Sequence, residues 1–120
     1  MTIPSPELFD QYLKVSQDID QKLENIREDT CYLSSPSYIT DHPDFKDLES
    51  MGDKIISYII HHMLSTGSTW VHLHLLHSIA PENPVKTEHA GKYIHQTANW
   101  LQWYVSSEYY KRDNIYHNLI

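Results

Sequence analysis

The sequence predicts an all-α fold, a compact stack of about five helices opened by a long N-terminal helix. Three features point there. Only 3 glycines and 6 prolines occur in 120 residues, so long stretches run without a break. Apolar residues return every three or four positions in successive segments, which is the helical period. Hydrophobic residues at 40% and charged ones at 21% are globular proportions, and a chain of this length closes a single core. One domain over residues 1–120 is expected.

The elements follow in order. Ser5 and Pro6 suit the cap and first position of a helix over residues 5–29, along which Leu8, Tyr12, Val15, Ile19, Leu23 and Ile26 draw a narrow apolar stripe. Residues 30–41, with Ser34-Ser35-Pro36-Ser37, lose that period and read as a connector pinned to the core by Tyr32, Leu33, Tyr38 and Ile39. A helical core is expected over 42–110. Asp41 caps a short helix with Pro43 just inside it, Phe45 and Leu48 facing inward, and Met51-Gly52 stopping it. Asp53 caps the next helix, whose Ile55, Ile56, Ile59, Ile60 and Met63 make a face broad enough for a central element ending at Gly67. Ser68 caps a fourth. There Val71-His72-Leu73-His74-Leu75 alternates as a strand would, but Trp70, Leu73, Leu76 and Ile79 extend in helical steps and no partner strand is evident. Pro81 to Pro84 ends it. After Gly91 a last helix carries Tyr93, Ile94, Trp100, Leu101, Tyr104 and Val105 and runs through Tyr110. The tail 111–120 places Ile115, Tyr116, Leu119 and Ile120 on one face, and a tail so apolar is expected to dock.

Charge divides the chain. Residues 1–53 carry twelve acids against four basic residues, whereas residues 54–120 carry four against five, within a net charge of -7. The second part also holds eight of the nine histidines, all three tryptophans and six of the nine tyrosines. Lys111-Arg112 is the one adjacent basic pair, too little for direct nucleic-acid binding through phosphates. No apolar run is long enough to span a membrane, and the first residues do not resemble a secretion signal. With Cys31 as the single cysteine, no internal disulfide or cysteine-based zinc cluster forms, and a reducing, cytoplasmic location is expected.

His42-Pro43, Met51-Gly52, Trp70, Ile79, Glu82-Asn83-Pro84-Val85, Gly91, Ala98 and Trp100-Leu101-Gln102-Trp103 form a spaced pattern over residues 42–103. The pattern resembles a small, uncharacterised bacterial helical domain of unknown function. The resemblance implies helical hairpins stacked in a HEAT-like manner, with the surface acting as an interaction platform. It brings no catalytic residue. Pro81 stands where that family often has glycine, and the N-terminal helix and aromatic tail are additions.

Several residue sets are candidates for function. His74 and His77 share a helix face at i, i+3, and His61 on the preceding helix could approach them, which would give a histidine metal site serving a hydrolase. No His-Glu-x-x-His or paired-cysteine signature accompanies them, and no cofactor is expected. Cys31 lies beside acids that disfavour its thiolate, so a packed, inert thiol is expected. Acids such as Asp44, Asp47, Glu49 and Glu88 read as a solvated face. Trp100 and Trp103 fall on one side of the last helix and are expected to help seal the core with Trp70. If one of these rings is exposed beside Tyr104, Tyr109, Tyr110 and Tyr116, it makes an aromatic patch of the kind enriched at binding hot spots. The first helix offers a second surface, acidic outside and near heptad spacing within, suited to a homodimer. These features predict a non-catalytic protein-interaction module, such as an antitoxin, immunity or inhibitor-like protein or a subunit of a defence complex. The alternative is the hydrolase centred on His61, His74 and His77.

Overall fold

Ser5 opens the first helix as its sequence suggests: its hydroxyl accepts the Leu8 N–H at 3.2 Å, with Pro6 in the first turn. A computed structural model describes residues 5–33, 35–111 and 119, and in it this helix, α1, runs Pro6–Thr30. The chain continues through α2 (Ser37–Thr40), α3 (Pro43–Ser50), a 3-10 turn (Gly52–Ile55), α4 (Ile56–Thr66) and α5 (Trp70–Ile79). A second 3-10 turn (Thr87–His89), α6 (Tyr93–Ser106) and α7 (Glu108–Lys111) follow. Five of the seven α-helices have eight or more residues, and no strand occurs among the described residues.

α5 is the hub. It touches α1, α2, α3, α4 and α6, and it buries Val71, His72, Leu73, Leu75, Leu76 and Ile79, a helix apolar on nearly every side. The expected central element, α4, is also largely buried through Ile56, Ile59, Ile60 and Met63, but it packs on one flank of α5. The fully buried positions of the α1 stripe lie in its second half, at Ile19, Leu23 and Ile26, while Tyr12 and Val15 of the first half pack partly buried against the core. Phe45, Leu48, Trp100 and Leu119 complete the interior. Leu119 is thus buried, while the rest of the expected tail face lies outside the described residues.

Several caps differ from expectation, each for a visible reason. The cap of α3 is His42, not Asp41: Nδ1 of His42 accepts the Asp44 N–H at 3.0 Å. That leaves Nε2–H to donate to Asp29 at 2.7 Å, so one imidazole both caps α3 and ties it to the end of α1. Asp53 lies in the 3-10 turn and accepts the Tyr109 hydroxyl at 2.8 Å instead of capping α4. Thr69, not Ser68, caps α5, because the Ser68 hydroxyl is occupied by Thr97 at 2.7 Å. Thr69 and His72 form a capping box with histidine in the place usually taken by Glu or Gln. Thr69→Ala should lower the unfolding free energy by about 1 kcal/mol in urea titrations, and Thr69→Ser, which keeps the hydroxyl, by much less.

The connector is less anchored than its residues suggested. Tyr32 is 96% exposed, Leu33 and Tyr38 are also exposed, and Ile39 alone of the four packs on the core. The last long helix stops at Ser106, and Ser107 breaks it before α7, so Tyr110 belongs to a separate turn. Cys31 is exposed at the C-terminal end of α1 and not packed as expected.

Candidate binding groove and histidine array

The C-terminal aromatic residues fold back on the protein. Trp100 is fully buried, and Tyr104 is buried with its hydroxyl donating to Ser57 Oγ at 3.0 Å, so neither is on a docking face. Trp103 meets Trp100 edge to face at 5.5 Å and Tyr109 at 5.8 Å, and both Trp103 and Tyr109 are half-buried. These contacts hold α7 against the Gly52–Ile55 turn and α4. Tyr110 is 52% exposed and packs one edge on Tyr104, whereas Tyr116 lies outside the described residues. The patch expected from Trp100, Trp103, Tyr104, Tyr109 and Tyr110 is therefore mostly internal packing. Helical spacing placed these rings on one face without showing that α7 would cover it.

The exposed indole is Trp70, at the start of α5, 38% accessible and tilted against His74 and Tyr93. It stands at a groove of about 760 Å³, well within the size range of ligand pockets. One wall is the connector, through Leu33, Pro36 and Ile39. The α5 wall adds Leu73, His74 and His77, and the loop beyond it adds Val85 and Lys86. Gln96 and Trp100 of α6 complete the lining. Burial and the neighbouring His77 hold His74 below the usual imidazole range, so it is neutral near pH 7. Among the described lining residues there is no carboxylate, in a chain with sixteen acids.

His74 and His77 do share this groove, but His61 does not approach them. It packs edge-on against Tyr104 at 6.3 Å, toward α6. The expected triad fails because α4 and α5 present these histidines to different neighbours. Among the described residues no group of three or more ligand-type side chains is arranged to hold a metal ion.

The histidines that do meet are His62 and His72. His72 Nδ1 accepts the Thr69 backbone N–H at 3.1 Å, so its other nitrogen carries the proton and donates to His62 Nδ1 at 2.8 Å. His62 then presents Nε2–H to Asp20 at 3.6 Å, and Asp20 also accepts the Tyr58 hydroxyl at 2.5 Å. A backbone donor thereby fixes both tautomers. The array joins α1, α4 and α5, and every imidazole nitrogen in it faces a partner, which suits it to fastening helices more than to taking a proton from a substrate. Burial, and secondarily the charge of His62, push His72 down to about 4. Burial, then the hydrogen bond to Asp20, push the Tyr58 hydroxyl well above its ordinary value.

This array was not found by sequence reasoning, yet a signal was present. His62 and His72 lie five residues on either side of Gly67, the break between α4 and α5, so a hairpin turned there sets them opposite each other. No family model, curated protein or solved structure matches the chain, so the functional reading rests on its own residues.

Proposed function

We propose that the protein is a non-catalytic interaction module that holds a segment of another protein in the groove between the connector, α5 and α6. One observation carries the reading: an exposed indole, apolar walls and a few polar side chains converge on one ligand-sized concavity. Binding hot spots concentrate in such partly enclosed aromatic positions. The groove takes over the role that sequence reasoning gave to the C-terminal rings, whose contacts are largely spent inside the fold. The short α4–α5 hairpin fits the HEAT-like platform, and an antitoxin, immunity or inhibitor-like protein working in the cytoplasm needs no more than such a surface. A homodimer through α1 is a compatible second contact, supported by exposed Phe9 and Leu13 on its first half.

Capture of partners from the native host, followed by photo-crosslinking from Thr87 at the groove, tests the reading. Trp70→Ala should weaken the crosslinked partner by about 30-fold, the effect of a 2 kcal/mol hot spot, while Tyr110→Ala leaves it unchanged. Loss with Tyr110→Ala and retention with Trp70→Ala would move the site to the C-terminal rings and sink the proposal. Sedimentation of the same samples reports the dimer.

A further inference from the structure

A second pair of imidazoles meets at His89 and His95, and one of them is held by the protein from every side. His89 ends the Thr87–His89 turn. Its backbone N–H donates to the Lys86 carbonyl at 2.9 Å, and its own carbonyl accepts the Lys92 N–H at 3.0 Å and the Gln96 side-chain amide at 3.1 Å. The ring is fixed by a buried partner, Asn99. Because the Lys86 N–H donates to Asn99 Oδ1 at 3.3 Å, the oxygen of that amide faces the turn. His89 Nδ1 lies 2.9 Å from the same oxygen and must carry the proton that reaches it. Nε2 of His89 is left with a lone pair; it has no partner among the described residues and is not sealed from solvent. Metal-ligating histidines are oriented in this way, by giving the other ring N–H to a fixed oxygen.

His95 is exposed on the first turn of α6, four residues before Asn99, and its ring centre stands 4.9 Å from that of His89. An imidazole nitrogen binds zinc at about 2.0–2.1 Å, so two rings sharing one ion at about 90–110° have centres about 4.5–5.2 Å apart. Separation alone does not select this pair, since His62 and His72 stand 5.1 Å apart. Their tautomers exclude them: the Thr69 N–H occupies His72 Nδ1, so His72 Nε2 keeps its proton and offers His62 no shared lone pair. We infer that His89 and His95 bind one divalent late first-row transition ion, of the zinc and copper(II) class that imidazole suits, and not magnesium or calcium, which take oxygen ligands. His89 Nε2 is the fixed ligand, and the exposed His95 side chain closes on the ion. Water fills the other positions, because no third protein ligand is arranged there among the described residues. The ion clips the Lys86–Gly91 loop, which lines the groove, to α6. Neither imidazole lines the groove itself, so the site stands or falls apart from the groove's own partner.

The test titrates zinc chloride, and separately magnesium chloride, into nitrogen-15-labelled full-length protein and follows the histidine ring nitrogens by NMR. His89→Gln and His95→Gln assign the two rings, and circular dichroism confirms that both variants fold. Without metal, His89 should show the tautomer protonated at Nδ1. The first equivalent of zinc should move His89 Nε2 and one His95 nitrogen ahead of every other imidazole, and magnesium should move neither. Each variant should bind zinc about tenfold or more weakly, and the double variant hardly more weakly than either single one, because chelation is lost with the first ring. Copper(II) in place of zinc should show two coupled imidazole nitrogens by electron paramagnetic resonance, and one in either variant. Zinc that first moves other imidazoles, or binds both variants as tightly as the wild type, would mean that the two rings only pack on each other and would overturn the site. A His89 ring protonated at Nε2 in the metal-free protein overturns it as well.

Discussion

Replacing Leu75 by alanine is expected to remove about 2–5 kcal/mol of unfolding free energy, the usual cost of truncating a buried leucine. The residue is fully buried in α5, the helix that α1, α2, α3, α4 and α6 all touch. A cavity at that point loses dispersion contacts to several helices together, and a close-packed interior collapses onto it only in part. Against a total stability of about 5–15 kcal/mol for a domain, such a loss brings the protein near the unfolding threshold at room temperature. Val105→Ala is the matched control: Val105 is exposed on α6, and its truncation should stay within about 0.5 kcal/mol. Urea titrations of both variants, with the slope unchanged, are the measurement. A Leu75→Ala loss below that of Val105→Ala would mean that the interior is not organised around α5.

The position of that hub shows what the sequence made legible. Stripes at helical spacing located every long helix, and the pairs Ser5-Pro6, Met51-Gly52 and Pro81 to Pro84 marked ends that the structure keeps. These signals are local, so local reasoning finds them. Where two polar residues compete for one cap, tertiary partners decide: Ser68 is taken by Thr97, which leaves Thr69 to cap α5. The connector shows the same limit in a stronger form. Its tyrosines look like anchors in a list of residues, but with no period to fix a face, Tyr32 and Tyr38 remain in solvent. The groove needs that connector, the loop around Lys86 and the end of α6 together, three pieces distant in sequence. Only their packing turns Trp70 outward, where it was expected to help seal the core, while Trp100 seals it as its helical face suggested.

Acid should loosen the protein through one imidazole. In the unfolded chain His72 has an ordinary pKa near 6.5, whereas in the fold burial and then the charge of His62 hold it down to about 4. Unfolding therefore takes up a proton between these values. The loss is absent above about pH 6.5, grows as the pH drops, and levels off below about pH 4, where both states are protonated. Linkage puts the loss at about 2 kcal/mol by pH 5 and about 3 kcal/mol by pH 4. The structural reason is specific: in the fold His72 Nδ1 is an acceptor for the Thr69 N–H, and Nε2–H is already given to His62. A second proton on His72 must break the bond from the Thr69 N–H, the histidine half of the α5 capping box, at the head of the array that reaches Asp20 on α1. Other groups also titrate in this range, so the comparison is with His72→Gln, which keeps a polar capping-box residue but cannot titrate. Denaturant titrations from pH 7.5 to 4 should show the wild type losing stability faster than His72→Gln, with the difference opening below pH 6.5. Parallel curves would show that His72 binds its proton equally well folded and unfolded, a result incompatible with an array that needs its nitrogen free to accept.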